Sequence, residues 1–178
     1  MSNLKNILAI SGSTRTQSTN LLYIQAITQL AADYWVVNIF EGLTGLPHFN
    51  PDLDTQTPPA EVMAFRSALK ACDGILICTP EYAMGVPGTL KNAIDWTVSS
   101  MEFSSKPVAL VTASSVGEKG HASLLATLEV IEARMTSETQ LLIPFAKTKI
   151  SNEGIIQDDA TLQEVKKLID GLNELLGN

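Results

Sequence analysis

Five short apolar runs alternate with longer stretches in which apolar residues recur every three or four positions, and this alternation sets the first expectation for the chain. The runs fall near residues 6–10, 35–40, 74–79, 107–113 and 140–144. Each is too brief for a helix, so each reads as a strand. Asn6-Ile-Leu-Ala-Ile10, Gly74-Ile-Leu-Ile-Cys-Thr79 and Pro107-Val-Ala-Leu-Val-Thr-Ala113 have no polar alternate face, the pattern of strands covered on both sides. Between the runs, the spacing predicts helices near 19–32, 58–72, 88–99, 120–136 and 160–176. The first carries Ile24, Ile27 and Ala31 on one face, the third Leu90, Ile94 and Val98, and the last Leu162, Val165, Ile169, Leu172 and Leu176. Thr57 before Pro58 and Pro59 marks the start of the second helix, and Thr161 with Glu164 reads as a capping box for the last. Strict alternation implies an α/β fold: a parallel sheet with right-handed crossovers and helices on both faces. No repeat, linker or low-complexity segment interrupts it, so residues 1–178 read as one domain.

Composition narrows the function classes. A net charge of −7 with no cluster of Lys and Arg argues against a nucleic-acid surface. No apolar run approaches the roughly 18 residues of a membrane span, and the first residues lack the basic-then-apolar signal pattern. The expectation is a cytoplasmic protein with neither membrane nor nucleic-acid partner. Cys72 and Cys78, outside any CxxC pair, read as free buried thiols. With His48 and His121 far apart and no ligand spacing beside either, no metal site is expected.

Candidate chemistry gathers where strands end. Ser11 to Asn20 follows the first strand, and six of its ten residues are Ser or Thr. Hydroxyls, the free amides of a helix start and the Arg15 guanidinium together suit a phosphate. Taken singly, Ser18 reads as a helix cap and Arg15 as a solvated cation; clustered with Asn20, they favour an anion site. Pro80 ends the third strand, Pro87-Gly88 opens the next helix, and the loop Glu81 to Val86 lies at the carboxyl end of a core strand, where open α/β sheets bind ligands. A third loop, Ser114 to Gly120, follows the fourth strand. Periodicity leaves strand order open. A dinucleotide-binding order is disfavoured because the first loop has Gly12 but no GxGxxG, and only Glu41 stands near the usual ribose-binding acidic place.

Residues 12–20, GSTRTQSTN, are similar to the GSxRxxSxN phosphate loop of the NADPH-dependent FMN reductase family, and residues 80–96 resemble its PEYNxxxPGxLKNAIDW segment. Pro47 to Leu53 and Ser114 to Gly120 resemble further stretches of the same family, so the likeness runs along nearly the whole chain. The resemblance implies a flavodoxin-like three-layer αβα sandwich with a five-stranded sheet in the order 2-1-3-4-5. It implies an oxidoreductase that passes hydride from NADPH or NADH through bound FMN to a small acceptor: flavin, quinone, azo compound or chromate. It assigns FMN to Ser13, Arg15, Ser18 and Asn20, to Pro80, Glu81, Tyr82 and Ala83, and to Ser114, Ser115 and Gly117. It also implies a homodimer or homotetramer, to which Trp96, Met101 and Phe103 in a polar connection add a sequence signal. Trp96 is read as packing or interface, and Lys91 and Asp95 as pairing with each other or meeting a neighbouring subunit.

Two positions depart from the family pattern. Ala83 stands where the family has Asn, and His121 where many members have Gly. No general acid or base is named, because hydride transfer is the cofactors' own chemistry. The alternatives are a flavodoxin-like electron carrier, against which Arg15 argues, and a non-enzymatic FMN-binding module.

Overall fold

The computed structural model describes residues 4–177. Strands β1 (Lys5–Ser11), β2 (Trp35–Ile39), β3 (Gly74–Thr79), β4 (Val108–Ala113) and β5 (Gln140–Ile143) form one parallel sheet in the order β2-β1-β3-β4-β5. Helices α1 (Thr19–Leu30), α2 (Ala60–Ala71), α3 (Gly88–Asp95), α4 (Glu118–Val130) and α5 (Asp159–Gly177) fill the crossovers and the C-terminal end. The apolar runs explain the layering. Every residue of β3 and β4 is buried, with alternate side chains sent to opposite faces. Leu76, Cys78 and Val111 meet Ile24 and Ile27 of α1 and Val165 and Leu168 of α5 on one side. Ile75, Ile77 and Leu110 meet Phe65, Leu90, Ile94 and Leu124 of α2, α3 and α4 on the other. Chain connections diverge between β1 and β3, which opens a crevice at the carboxyl ends of the strands.

Several predicted boundaries shift for local reasons. The third helix, expected to reach 99, ends at Asp95, and Val98 lies exposed beyond it instead of on the apolar face. Trp96 turns inward: its indole Nε1 donates to the Pro47 carbonyl at 2.8 Å, and its ring meets Phe49 edge-on with centroids 5.1 Å apart. Arg66 donates to the Trp96 carbonyl and pairs with Asp54 at 2.7 Å. Trp96 and Phe103 are thus consumed by the chain's own core, which removes them as interface signals; Met101 alone of the three stays exposed. The fourth helix stops at Val130, short of 136, with Glu132 at a φ of 60°.

The capping box at Thr161 is displaced. Asp158 Oδ1 accepts from the Thr161 amide at 2.9 Å and from its hydroxyl at 2.6 Å, so α5 starts earlier, at Asp159. Glu164 instead pairs with Lys167. Lys91 and Asp95 pair with each other at 2.5 Å, one turn apart. Three single-turn 3₁₀ helices, Leu43–Gly45, Pro51–Leu53 and Ala146–Thr148, are too short to leave a periodic signal.

Candidate active site

A cleft of about 460 Å³ lies at the carboxyl ends of β1, β3, β4 and β5. Its first wall, Ser13, Arg15, Ser18, Thr19 and Asn20, follows from Gly12. A Cβ on Gly12 would sit 2.2 Å from Thr79 Oγ1, so only glycine lets the exit of β1 pass the end of β3. The Gly12 amide meanwhile donates to the Cys78 carbonyl at 2.8 Å. Ser18 caps α1, its hydroxyl accepting from the Asn20 amide at 3.2 Å, and it lines the cleft as well. No acidic residue occupies the first turn of α1, and Arg15 forms no ion pair among the described residues. The wall therefore offers hydroxyls, a helix N-terminus and one uncompensated cation, a donor set for a dianion such as a phosphate monoester.

Pro80, Glu81 and Tyr82 make the second wall. Tyr82 and Gly85 exchange two backbone hydrogen bonds, 2.9 and 3.0 Å, across a turn in which Ala83 and Met84 have φ of 49° and 63°. That mirror-image geometry is the one for which Asn-Gly is preferred, so the family's Asn in place of Ala83 has a conformational reason. Ala83 itself, expected in the site, does not line the cleft; it shapes the turn. Glu81 is tied down at both ends. Its amide donates to Ser114 Oγ at 3.2 Å, and its Oε2 accepts from the Gly120 amide at 2.6 Å, in the first turn of α4. A Cβ on Gly120 would meet Glu81 Cγ at 3.0 Å and the Gly85 carbonyl at 3.1 Å, so a larger residue there would press on this closure.

From the third loop, Ser114 and Ser115 line the cleft beside Ala113. Gly117, also expected there, does not. It caps α4 with a φ of 98°, and a Cβ on it would meet Leu142 Cδ1 at 2.8 Å and Thr112 Cγ2 at 3.2 Å, facing the sheet. His121 lies away from the cleft too, its Nδ1 2.8 Å from Thr112 Oγ1, and burial holds its pKa below the usual 6.5.

A fourth wall, Phe145, Ala146, Lys147 and Thr148, has no counterpart in the sequence reading. Phe145 and Ala146 amides donate to the Ser115 and Ser114 carbonyls at 3.1 and 3.0 Å, and the buried Tyr23 hydroxyl donates to the Ala146 carbonyl at 3.1 Å. These bonds fasten the exit of β5 to the third loop and to α1. Phe145 takes a φ of 53° and stays 66 % exposed, while Lys147 brings a second cation. The available signal was positional: β5 neighbours β4, so its exit must fall beside the third loop. Of the residues expected in the site, Ser13, Arg15, Ser18, Asn20, Pro80, Glu81, Tyr82, Ser114 and Ser115 converge on this cleft.

Comparison with known proteins agrees with this architecture. The family model for NADPH-dependent FMN reductase matches residues 5–148, a span that ends on the fourth wall. An NAD(P)H-dependent FMN reductase of Pseudomonas aeruginosa is 31 % identical over 178 residues, covering 97 % of this chain and 95 % of its own. A quinone reductase of Escherichia coli is 28 % identical over 184 residues, covering 99 % and 97 %. Among solved structures, the flavoenzyme NAD(P)H:(acceptor) oxidoreductase FerB of Paracoccus denitrificans is similar with a TM-score of 0.85 at 24 % identity, covering 98 % of each chain, a likeness of fold.

Proposed function

The chain belongs to the NADPH-dependent FMN reductase family, and we propose that its cleft is the FMN site of an NAD(P)H oxidoreductase whose acceptor is a quinone. The observation that carries the assignment is the first wall: one guanidinium without an ion-pair partner among the described residues and a hydroxyl-lined helix start, converging on one cavity. Ser13, Arg15, Ser18, Thr19 and Asn20 are the residues that would hold the phosphate of FMN. Pro80, Glu81, Tyr82, Ser114 and Ser115 would border its ring. The volume lies within the ~300–1,000 Å³ range of small-molecule sites, so the cleft and its donors suit the group.

When bound, FMN supplies the hydride chemistry, receiving it from NADPH or NADH and yielding it to the acceptor. The chain's residues bind, orient and shape. Glu81 is engaged with the Gly120 amide and leaves the ring side to backbone groups, and no side-chain acid or base is assigned. Tyr82 and Phe145, both substantially exposed beside the cleft, offer aromatic surface to a flat acceptor, and curated relatives include quinone reductases. Assembly as a homodimer or homotetramer is what the family resemblance implies, and exposed Met101 is what remains of the apolar sequence signal for it. Two buried free thiols suit a reducing, cytoplasmic setting, and no described helix is long and apolar enough to cross a membrane.

Anaerobic mixing of the purified, flavin-loaded protein with NADPH tests the proposal. Flavin absorbance should bleach and return on adding a benzoquinone. A bound flavin that stays oxidised for minutes would instead make the protein an electron carrier or a binding module.

A further inference from the structure

The first wall is supported from beneath by a sulfur. Cys78, fully buried near the end of β3, points to the α1 side of the sheet, and its Sγ–H donates to Asn20 Oδ1 at 3.3 Å. Asn20 is only 3 % exposed yet lines the cleft. Its backbone amide is taken by Ser18, and among the described residues its side-chain Nδ2 donates to no protein acceptor. A carboxamide has two ends, and the identity of its neighbour decides which end faces where. We propose that Cys78 is a positioning residue for the phosphate site: by donating to Asn20 Oδ1 it fixes the amide so that Nδ2, the donor end, is presented to an anion in the cleft.

The reversed amide is the alternative, and two effects disfavour it. It would set Oδ1 against the anion, and it would set Nδ2 against a sulfur that is a poor acceptor. Burial also pushes the Cys78 thiol well above its ordinary pKa, so at neutral pH the sulfur keeps the proton it donates. The other side-chain donor of β3, Thr79, lies on the opposite face of the strand and donates to the Pro80 carbonyl at 3.1 Å, so Cys78 alone on the α1 face of that strand can set the amide.

This inference rests on the cleft taking the phosphate of FMN, and the test separates the two claims. Apoprotein is titrated with FMN and with riboflavin, following quenching of flavin fluorescence, for the wild type, Cys78→Ser, Cys78→Val and Cys78→Ala. The wild type should bind FMN more tightly than riboflavin. Cys78→Ser keeps a donor and should hold FMN affinity within about twofold. Cys78→Val and Cys78→Ala lose the donor and should weaken FMN by about three- to tenfold, the usual range for one neutral hydrogen bond, with riboflavin unchanged. Two donor-less variants of different size guard against a core that fails to repack. A wild type that does not distinguish the two flavins would overturn the phosphate assignment itself. Discrimination kept in Val and Ala, lost equally in Ser, or replaced by a parallel loss for riboflavin would overturn the role of Cys78 alone.

Discussion

Removing the Glu81 carboxylate should loosen the fold rather than stop the chemistry. Its Oε2 lies 2.6 Å from the Gly120 amide, at the start of α4, and is the only bond that this side chain makes among the described residues. A charge-assisted hydrogen bond contributes roughly 1.5–3 kcal/mol, and a negative group at a helix start adds about 0.3–1 kcal/mol. The site is only partly buried and Glu118 already stands in the first turn of α4, so solvent screening discounts the sum to about 1.5–2 kcal/mol for Glu81→Ala. Glu81→Gln keeps an acceptor and should cost about half as much. For a chain of this length each kcal/mol moves Tm by ~2–4 °C, so the Ala variant should melt ~3–8 °C lower and the Gln variant ~1–4 °C lower. Thermal unfolding of the apoproteins by circular dichroism reads this directly. The rate of flavin reduction by NADPH, measured on flavin-saturated protein, should stay within about tenfold in the Gln variant, because losing a true acid or base costs ~100-fold or more. An unchanged Tm together with a collapsed reduction rate would refute the reasoning and make Glu81 a catalytic group.

Three further outcomes follow from the same geometry. Arg15→Ala should weaken FMN by about tenfold to a hundredfold and leave riboflavin nearly unchanged in parallel titrations; an equal loss for both would remove Arg15 from the phosphate. Ala83→Gly relieves a left-handed φ of 49° and should raise stability by about 1 kcal/mol in denaturant melts, whereas a drop would mean that the turn is not of the mirror-image type. His121, whose pKa burial lowers, contributes stability that is intact above its unfolded value near 6.5 and is lost as pH falls below it. The Tm gap between wild type and His121→Gln should therefore narrow from pH 7.5 to 5; a gap that is constant or widens on acidification would contradict the buried, neutral imidazole.

What could be read from the sequence was whatever left a local mark. The end of β3 is announced by an uninterrupted apolar run and Pro80, and the first wall by its density of hydroxyls around Arg15. The fourth wall left no such mark. β5 has four residues and only Ile143 is fully buried, while Phe145 and Ala146 join the site through bonds to Ser114, Ser115 and Tyr23, far away in sequence. Trp96 stood open between packing and interface because apolarity is the same signal for both, and its Pro47 and Arg66 contacts decide for packing; Phe103, expected at an interface, is buried in the core as well. Gly117 was expected in the cleft, but the side on which its missing Cβ matters is set by Leu142, which the sequence does not place.

The close passage of Gly12 under Thr79 also bears on how the protein is made. The loop richest in phosphate donors leaves the ribosome first, yet the strand that holds it in place, β3, is the third to appear, and the fourth wall comes near the end. At ~5–20 residues per second, the first and last walls emerge on the order of ten seconds apart. Until β3 emerges, about midway through that interval, β1 has β2 on one side and nothing on the other, its edge awaiting β3. A nascent chain therefore has an open sheet edge before it has a cleft. Cofactor loading must be a late event, and a ribosome that stalls before Thr148 yields a product unable to complete the site.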